Sequence, residues 1–326
     1  MRAGELALYA LGRITLAVPL LLAVVVVNFT LVQLAPGDPA TILVGDYPAP
    51  PEYIETVRRE FGLDRPLPEQ LARYLGQVAS GNLGYSFANR QPVLDLVLGR
   101  LGATLKLTVT ALVLASVAGV LLGVIAARRR GSSVDRGIQA VSLAGYSIPE
   151  FWLGQVLILV FAIWLGWLPS QGSASLRAPA EGWAALGDGL RYLLLPAVAL
   201  SFRYLALIAR MTRASLLEVL SADFILAARA RGAPERTVLW THAMRNAAPP
   251  VITVIGYNLG FILAGAALIE TVFGWPGIGR LLFESISRRD YPVMTAILLL
   301  ISATVVLANL LTDILHATLD PRVKMR

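Results

Sequence analysis

Six long apolar stretches constrain this chain more than any other feature of its sequence. They cover approximately residues 14–34, 101–127, 138–165, 192–209, 250–273 and 293–315. A bilayer core of ~30 Å needs about 20 helical residues to cross it, so each stretch is long enough to span a membrane. Only 15% of the residues are charged and the mean hydropathy is +0.66, whereas soluble domains average roughly 25% charged residues. The sequence predicts an all-α integral membrane protein with six transmembrane helices.

Two of these stretches need a choice between interpretations. The first is longer than the ~7–15 apolar residues of a signal peptide, so we interpret it as a retained span. The fourth is the weakest of the six, because Pro196 and Arg203 interrupt it.

The placement of the arginines predicts the orientation of the chain. The loops around 128–136 and 210–245 and both ends of the chain are rich in arginine, whereas the two short loops on the opposite side carry few. Excess Lys and Arg mark cytoplasmic loops, so both termini are predicted to be cytoplasmic. The same rule accounts for the formal net charge of +7 without a nucleic-acid partner.

Residues 36–100 then form a small helical extracytoplasmic segment between helices 1 and 2. Apolar residues recur at helical spacing in two places: Ile54, Val57 and Phe61, then Leu67, Leu71, Tyr74, Leu75 and Val78. Two interpretations stay open, a cap that packs on the membrane helices or a docking surface for an external partner. The division is 1–35 (N-terminus and helix 1), 36–100, 101–318 (helices 2–6, with a loop at 211–249) and a cytoplasmic tail at 319–326.

The stretch "DFILAARARGAPERTVLW", residues 223–240, predicts a rigid cytoplasmic helix–turn–helix. Gly232 stands where a helix-ending glycine belongs, and Pro234 can begin the next helix. Glu235 suits the positive end of that second helix. The small residues Ala227 and Ala228 would let another backbone approach closely. The element therefore either docks on a protein partner or rests on anionic lipid.

Several motifs resemble the permease subunits of ABC importers. "LAARARG" is similar to the Glu-Ala-Ala, three residues, Gly core of their cytoplasmic loop, with Leu226 in the place of the glutamate. The Ile-x-Leu-Pro pattern that follows is replaced here by His242, Met244 and Arg245. "HAMRNAAPPVIT", "FGLDRPLPEQ", "SIPEFWLGQ", "LGWLPSQG", "ETVFGWPGIGRLL" and "LDPRV" resemble the dipeptide/oligopeptide/nickel subfamily.

This resemblance implies a type I ABC importer permease fold in the bacterial cytoplasmic membrane. It implies that the cytoplasmic stretch is a coupling helix that docks on an ATPase, carried by Asp223, Ala227, Ala228, Arg229, Arg231, Gly232 and Glu235. The implied partners are a second, homologous permease in a heterodimer, two ATPase subunits that bind ATP and Mg, an extracytoplasmic solute-binding protein, and membrane lipid. The implied cargo is peptides or similar small solutes, moved by alternating access.

Polar residues inside the spans are candidates for the substrate pathway, because ionisable groups are costly at that depth. The candidates are Arg203, Tyr257, Asn258, Ser302 and Asn309. For the neutral ones, hydrogen bonding between helices is the better interpretation. Lys106 and Glu270 lie near span ends, where we expect them to reach towards the interface. We find no acidic residue near the centre of a span. Gly256, Gly260 and Gly265 suggest a subunit interface.

The sequence carries no catalytic or metal-binding pattern. It has no cysteine, and its two histidines, His242 and His316, are far apart. It lacks G-x-x-x-x-G-K-[ST], so this chain is expected to bind neither ATP nor any other cofactor itself. The alternatives are an ion-coupled secondary transporter, which needs repeats and midplane carboxylates, and an intramembrane enzyme, which needs paired catalytic residues.

Overall fold

The computed structural model describes residues 3–34, 50–60, 62–86, 88–175 and 182–319. In chain order its elements are α1 (Ala3–Leu34), α2 (Pro51–Glu60), α3 (Leu67–Ala79), β1 (Tyr85–Ser86), β2 (Gln91–Pro92), α4 (Val93–Arg128), α5 (Ser133–Ser147), α6 (Glu150–Leu157), α7 (Trp183–Leu220), α8 (Asp223–Ala230), α9 (Glu235–Thr237), α10 (Met244–Val272), α11 (Ile278–Ser287) and α12 (Tyr291–Leu319). One π-helical stretch, Ile158–Trp164, continues α6, and another, Val238–Ala243, joins α9 to α10. The predicted tail beyond residue 319 and residues 35–49 of the outer segment lie outside the described residues, as does Phe61.

Within the described residues, four helical segments are long and apolar enough to cross a membrane. They are Ala17–Leu34, Val93–Arg128, Trp183–Leu220 and Tyr291–Thr312. A fifth is added if α5 forms one broken span with α6 and its π-helical continuation, which together cover Glu150–Trp164. The remaining predicted span, 250–273, falls almost wholly on α10. A mostly helical membrane protein with several apolar spans is therefore confirmed, and the count of six spans and the extracytoplasmic position of residues 36–100 stay predictions.

The third predicted span is not a single helix. α5 and the α6 segment meet at a bend of 105°. Between them Ile148 is extended, with φ −76° and ψ 127°, because the ring of Pro149 disfavours helical geometry at the residue before it. The fourth predicted span, in contrast, is one continuous helix. It lies within α7, which runs unbroken for 38 residues with Pro196 buried inside it.

Close helix contacts at glycines hold the bundle together. An added Cβ at Gly119 of α4 would lie 2.9 Å from Ile208 Cβ and from the Leu205 carbonyl oxygen of α7. Gly260 of α10 would come within 3.3 Å of Val305 Cα of α12, and Gly256 faces Thr312 of the same helix. Such small residues allow helix backbones to approach in lipid. The expectation that Gly256 and Gly260 mark a subunit interface is wrong, because they pack within this chain.

The two helices predicted in the outer segment are confirmed. α3 lies against the end of α1, where the rings of Phe29 and Tyr74 are 5.9 Å apart. Gln33 Nε2 donates to Gln70 Oε1 at 3.0 Å. No residue of α3 is fully buried, and Leu67 is exposed. α3 therefore uses its apolar face only in part to pack on α1.

Candidate coupling element and membrane cluster

The cytoplasmic stretch folds as a helix, a tight turn and a second helix. α8 ends at Ala230, and Gly232 has a φ of +80°. Ala233 N donates to the Ala228 carbonyl at 3.2 Å, which closes the turn. Pro234 then precedes α9, which continues without interruption through the π-helical stretch into α10. The predicted helix–turn–helix is confirmed, including the left-handed glycine. We call residues 223–240 the coupling element.

The coupling element exposes a different face from the one expected. Ala228 is only 3% exposed, and Ile225 on the same helix is fully buried in a cluster beneath the element. The outward face instead carries Phe224 and Leu226, which are 45% and 68% exposed, together with Ala227. The expectation of a docking face made by Ala227 and Ala228 is therefore wrong for Ala228, because its small side chain lets α8 sit close to the bundle.

An ion pair closes over the turn of the coupling element. Arg229 Nε donates to Glu235 Oε1 at 2.8 Å, and Nη2 donates to Oε2 at 3.3 Å. The guanidinium hydrogen bond lowers the pKa of Glu235 and raises that of Arg229. Arg231 Nε donates back to the Ala227 carbonyl at 3.2 Å. Asp223 lies in the first turn of α8, where the helix dipole favours a carboxylate. These contacts make the element stiff.

A second ion pair ties the start of α5 to α7, close to the coupling element. Arg213 contacts both carboxylate oxygens of Asp135, which is buried, and Gly131 N also donates to Asp135 Oδ2 at 2.9 Å. Ser132 Oγ caps α5 by accepting from Asp135 N. Sequence reasoning missed this contact. The Ser-x-x-Asp spacing at 132–135 is a capping signature, but it does not reveal the partner on α7.

The five pathway candidates fall into different environments. Asn258 Nδ2 donates to the Val254 carbonyl, and Ser302 Oγ donates to the Leu298 carbonyl, each four residues back in its own helix. These two polar groups are satisfied locally. Tyr257 and Asn309 are exposed on α10 and α12.

Arg203 lies on the outer surface of α7, where its Cζ is 5.5 Å from the centroid of the Tyr146 ring. Arg210 Cζ lies 5.6 Å from the same ring. Glu150, in the first turn of α6, is within electrostatic range of Arg203, and its buried Oε2 has no hydrogen-bond partner among the described residues. We call Tyr146, Glu150, Arg203 and Arg210 the membrane cluster. The expectation of no acidic residue near the centre of a span is wrong, because Glu150 lies near the middle of the third predicted span, residues 138–165.

Glu270 was expected to reach towards the membrane interface and instead is fully buried. Its carboxylate accepts from Thr104 Oγ1 at 2.6 Å, from Gly279 N at 2.8 Å and from Arg280 N at 3.0 Å. It thereby caps the start of α11 from another helix and ties it to α4. Among the described residues, no group of His, Cys, Asp and Glu could hold a metal ion.

The chain is similar to known proteins over nearly its whole length. It is 42% identical to the di/tripeptide transport system permease protein DppB of Pseudomonas aeruginosa, over 96% of this chain and 97% of that one. It is 39% identical to the dipeptide transport system permease protein DppB of Escherichia coli (97% and 98%) and 40% identical to the glutathione transport system permease protein GsiC of the same species (98% and 99%).

A solved structure supports the fold. The chain matches a structure of the MetNI methionine ABC transporter in inward-facing conformations with a TM-score of 0.55 and 22% identity, over 69% of this chain and 96% of that one. The family model for the N-terminal part of binding-protein-dependent transport system membrane components matches residues 7–108. The model for the binding-protein-dependent transport system inner membrane component matches residues 119–325. The chain therefore belongs to the family of binding-protein-dependent transport system inner membrane components.

Proposed function

We propose that this chain is one permease subunit of an ATP-driven importer that carries di- and oligopeptides, or similar small solutes, across the bacterial cytoplasmic membrane. The observation that carries this proposal is the full-length similarity to permeases named for di/tripeptide, dipeptide and glutathione transport. Cargoes of this kind share an amide backbone with free charged groups at their ends.

The subunit acts within an assembly. It pairs with a second, homologous permease in a heterodimer, and two ATPase subunits bind on the cytoplasmic side and hold the ATP and Mg. Six spans with both termini in the cytoplasm place the coupling element on the ATPase side. A solute-binding protein docks outside, and residues 50–90 contribute its landing surface. This arrangement is supported by the arginine distribution and by the partial exposure of α3.

The coupling element transmits the movement of the ATPases. Its exposed Phe224 and Leu226 fill an apolar groove on the ATPase, and the Arg229–Glu235 pair fixes the turn behind them. A stiff element transmits displacement without bending, so closure of the ATPases rocks the membrane helices and alternates access to the pathway.

Reconstituted transport tests the proposed function. The permease pair and its co-purified ATPases, placed in proteoliposomes with the binding protein, should take up a labelled dipeptide only when ATP is supplied. Uptake that needs an ion gradient and no ATP would support the secondary-transporter alternative instead.

A further inference from the structure

Arg203 of the membrane cluster lies near the middle of α7. Residues 192–209 of α7 carry one charged side chain, Arg203. At a rise of 1.5 Å per residue, Arg203 is about 30 Å from Trp183 and about 25 Å from Leu220, the two ends of α7. A guanidinium at this depth does not face lipid without a polar partner or water. The exposed side of Arg203 must therefore meet a watery cavity or another molecule.

The break between α5 and α6 is at the same level. An added Cβ at Gly145, one turn before the break, would lie 3.0 Å from the ring of Phe202, the neighbour of Arg203. Pro149 at the break is exposed. Non-helical backbone at membrane depth is tolerated only where it is covered by protein or lines a water-filled cavity. The exposed break and the exposed Arg203 thus lie close together on the surface of this subunit, next to the exposed aromatic side chains of Phe151 and Trp152.

The charges of the cluster are only partly matched among the described residues, since Glu150 attracts Arg203 without a hydrogen bond between them. Arg203 and Arg210 are seven residues apart and so lie on the same face of α7, where both contact the Tyr146 ring. Neither guanidinium forms an ion pair within the described residues. One oxygen of Glu150 is buried without a hydrogen-bond donor. Arg203 and Arg210 are exposed and Glu150 is half-buried, so the cluster offers two cationic groups and one anionic group to a ligand.

We propose that the membrane cluster is the site where the transported peptide is held inside the membrane, through both of its termini. Arg203 and Arg210 bind the carboxylate, for which the planar guanidinium is suited, and Glu150 binds the ammonium group. The termini of an extended dipeptide are about 7 Å apart, a distance that side chains on neighbouring helices can bridge. This inference rests on the proposed function, since it takes a peptide as the cargo.

A subunit interface is the competing explanation for this face. The fully buried centres of interfaces are depleted of charged residues, and the second permease would have to supply carboxylates for both arginines. A zwitterionic cargo instead satisfies charges of both signs and leaves them free again after release.

The test measures peptides transported per ATP hydrolysed by the complete importer in proteoliposomes with its loaded binding protein. The variants are Arg203→Gln and Glu150→Gln. Arg203→Lys keeps the charge but loses the planar guanidinium. It tests the inference even if Arg203→Gln fails to fold. Glu218→Gln on the same helix and Arg136→Gln on α5 are controls, because both side chains are exposed and form no ion pair among the described residues. Membrane abundance and co-purification of the second permease are measured for every variant.

We expect Arg203→Gln and Glu150→Gln to assemble and hydrolyse ATP normally while transport per ATP falls roughly tenfold, the effect of one lost charged hydrogen bond. Arg203→Lys should recover part of the loss, and the two controls should match the wild type. Unchanged transport per ATP in both Gln variants overturns the inference. Loss of the second permease from Arg203→Gln and Arg203→Lys also overturns it, in favour of an interface. A wild-type importer that moves no peptide contradicts the proposed function itself.

Discussion

Arg213 Nε and Nη2 lie 2.7 and 2.8 Å from the two carboxylate oxygens of Asp135. The pair joins the first turn of α5 to α7, and Leu220 at the end of α7 leads directly into the coupling element. Because Asp135 is also bonded to Gly131 N, the loop between α4 and α5 is fixed to the same point. The pair therefore joins α5, α7 and the loop between α4 and α5 at one point.

Asp135→Asn should weaken this joint. The variant keeps the shape of the side chain but leaves the Arg213 guanidinium without its charged partner, and a broken pair of this kind is destabilising. We expect a lower thermal midpoint for the purified permease pair and less transport per ATP. Asp95→Asn, in the exposed first turn of α4, is the control. An unchanged midpoint would show that the pair does not hold the helix ends.

Gly232→Ala should disturb the coupling element through its backbone alone. An added Cβ at Gly232 meets nothing within 4 Å, but its φ of +80° costs a residue with a Cβ about 1–2 kcal/mol. We expect normal accumulation of the permease and reduced retention of the ATPases on purification. Gly137→Ala is the matched control, because its Cβ also meets nothing within 4 Å and its φ is not positive. Equal retention in both variants would contradict this prediction.

Leu226→Asp should remove ATPase binding without unfolding the permease. Leu226 is 68% exposed, so a carboxylate there stays hydrated in the free subunit but is costly in an apolar groove. We expect at least about tenfold weaker ATPase binding, which corresponds to ~1.4 kcal/mol. Leu67→Asp, at an exposed position of α3, should bind the ATPases normally. Wild-type retention by Leu226→Asp would favour a coupling element that rests on lipid.

The Arg229–Glu235 pair should make the turn sensitive to acid. The folded-state pKa of Glu235 is lowered from 4.5 by the Arg229 hydrogen bond, so the pair stabilises the turn above the unfolded-state pKa. That stabilisation is lost as the pH falls through the folded-state pKa. Amide hydrogen exchange of Ala233, corrected for its intrinsic pH dependence, should therefore lose protection below about pH 4.5. Glu235→Gln should show no such loss of protection, and an identical profile would refute the assignment.

The orientation can be measured directly because the chain has no cysteine. A single cysteine at Asn89 should react with an impermeant maleimide added to intact cells. A single cysteine at Ser132 should react only after the membrane is opened, since the arginine-rich loop is expected to be cytoplasmic. Labelling of Ser132 from outside would invert the topology.

Local signals in the sequence predicted local structure well. The helices of the outer segment followed from apolar spacing, and the turn at Gly232 followed from a glycine and a proline whose backbone preferences act on their own neighbours. The sequence did not reveal contacts between distant elements. Glu270 belongs to α10 but caps α11, and Ala228 is buried because of the helices beneath it. Glu150 lies near the middle of the third predicted span, but its electrostatic interaction with Arg203 of α7 is visible only in the structure.

The unbroken length of α7 makes it a lever. Its 38 residues extend about 57 Å at 1.5 Å per residue, from the coupling element to the opposite end of the bundle. If the cytoplasmic end is the pivot, a tilt of about 5° displaces the far end by about 5 Å, while Arg203 near the middle moves roughly half as far. α4 packs closely against α7 at Gly119 and Gly123, so a tilt of α7 also displaces α4. In the proposed mechanism, a small rotation at the ATPase end of α7 is thereby amplified at the far end of both helices.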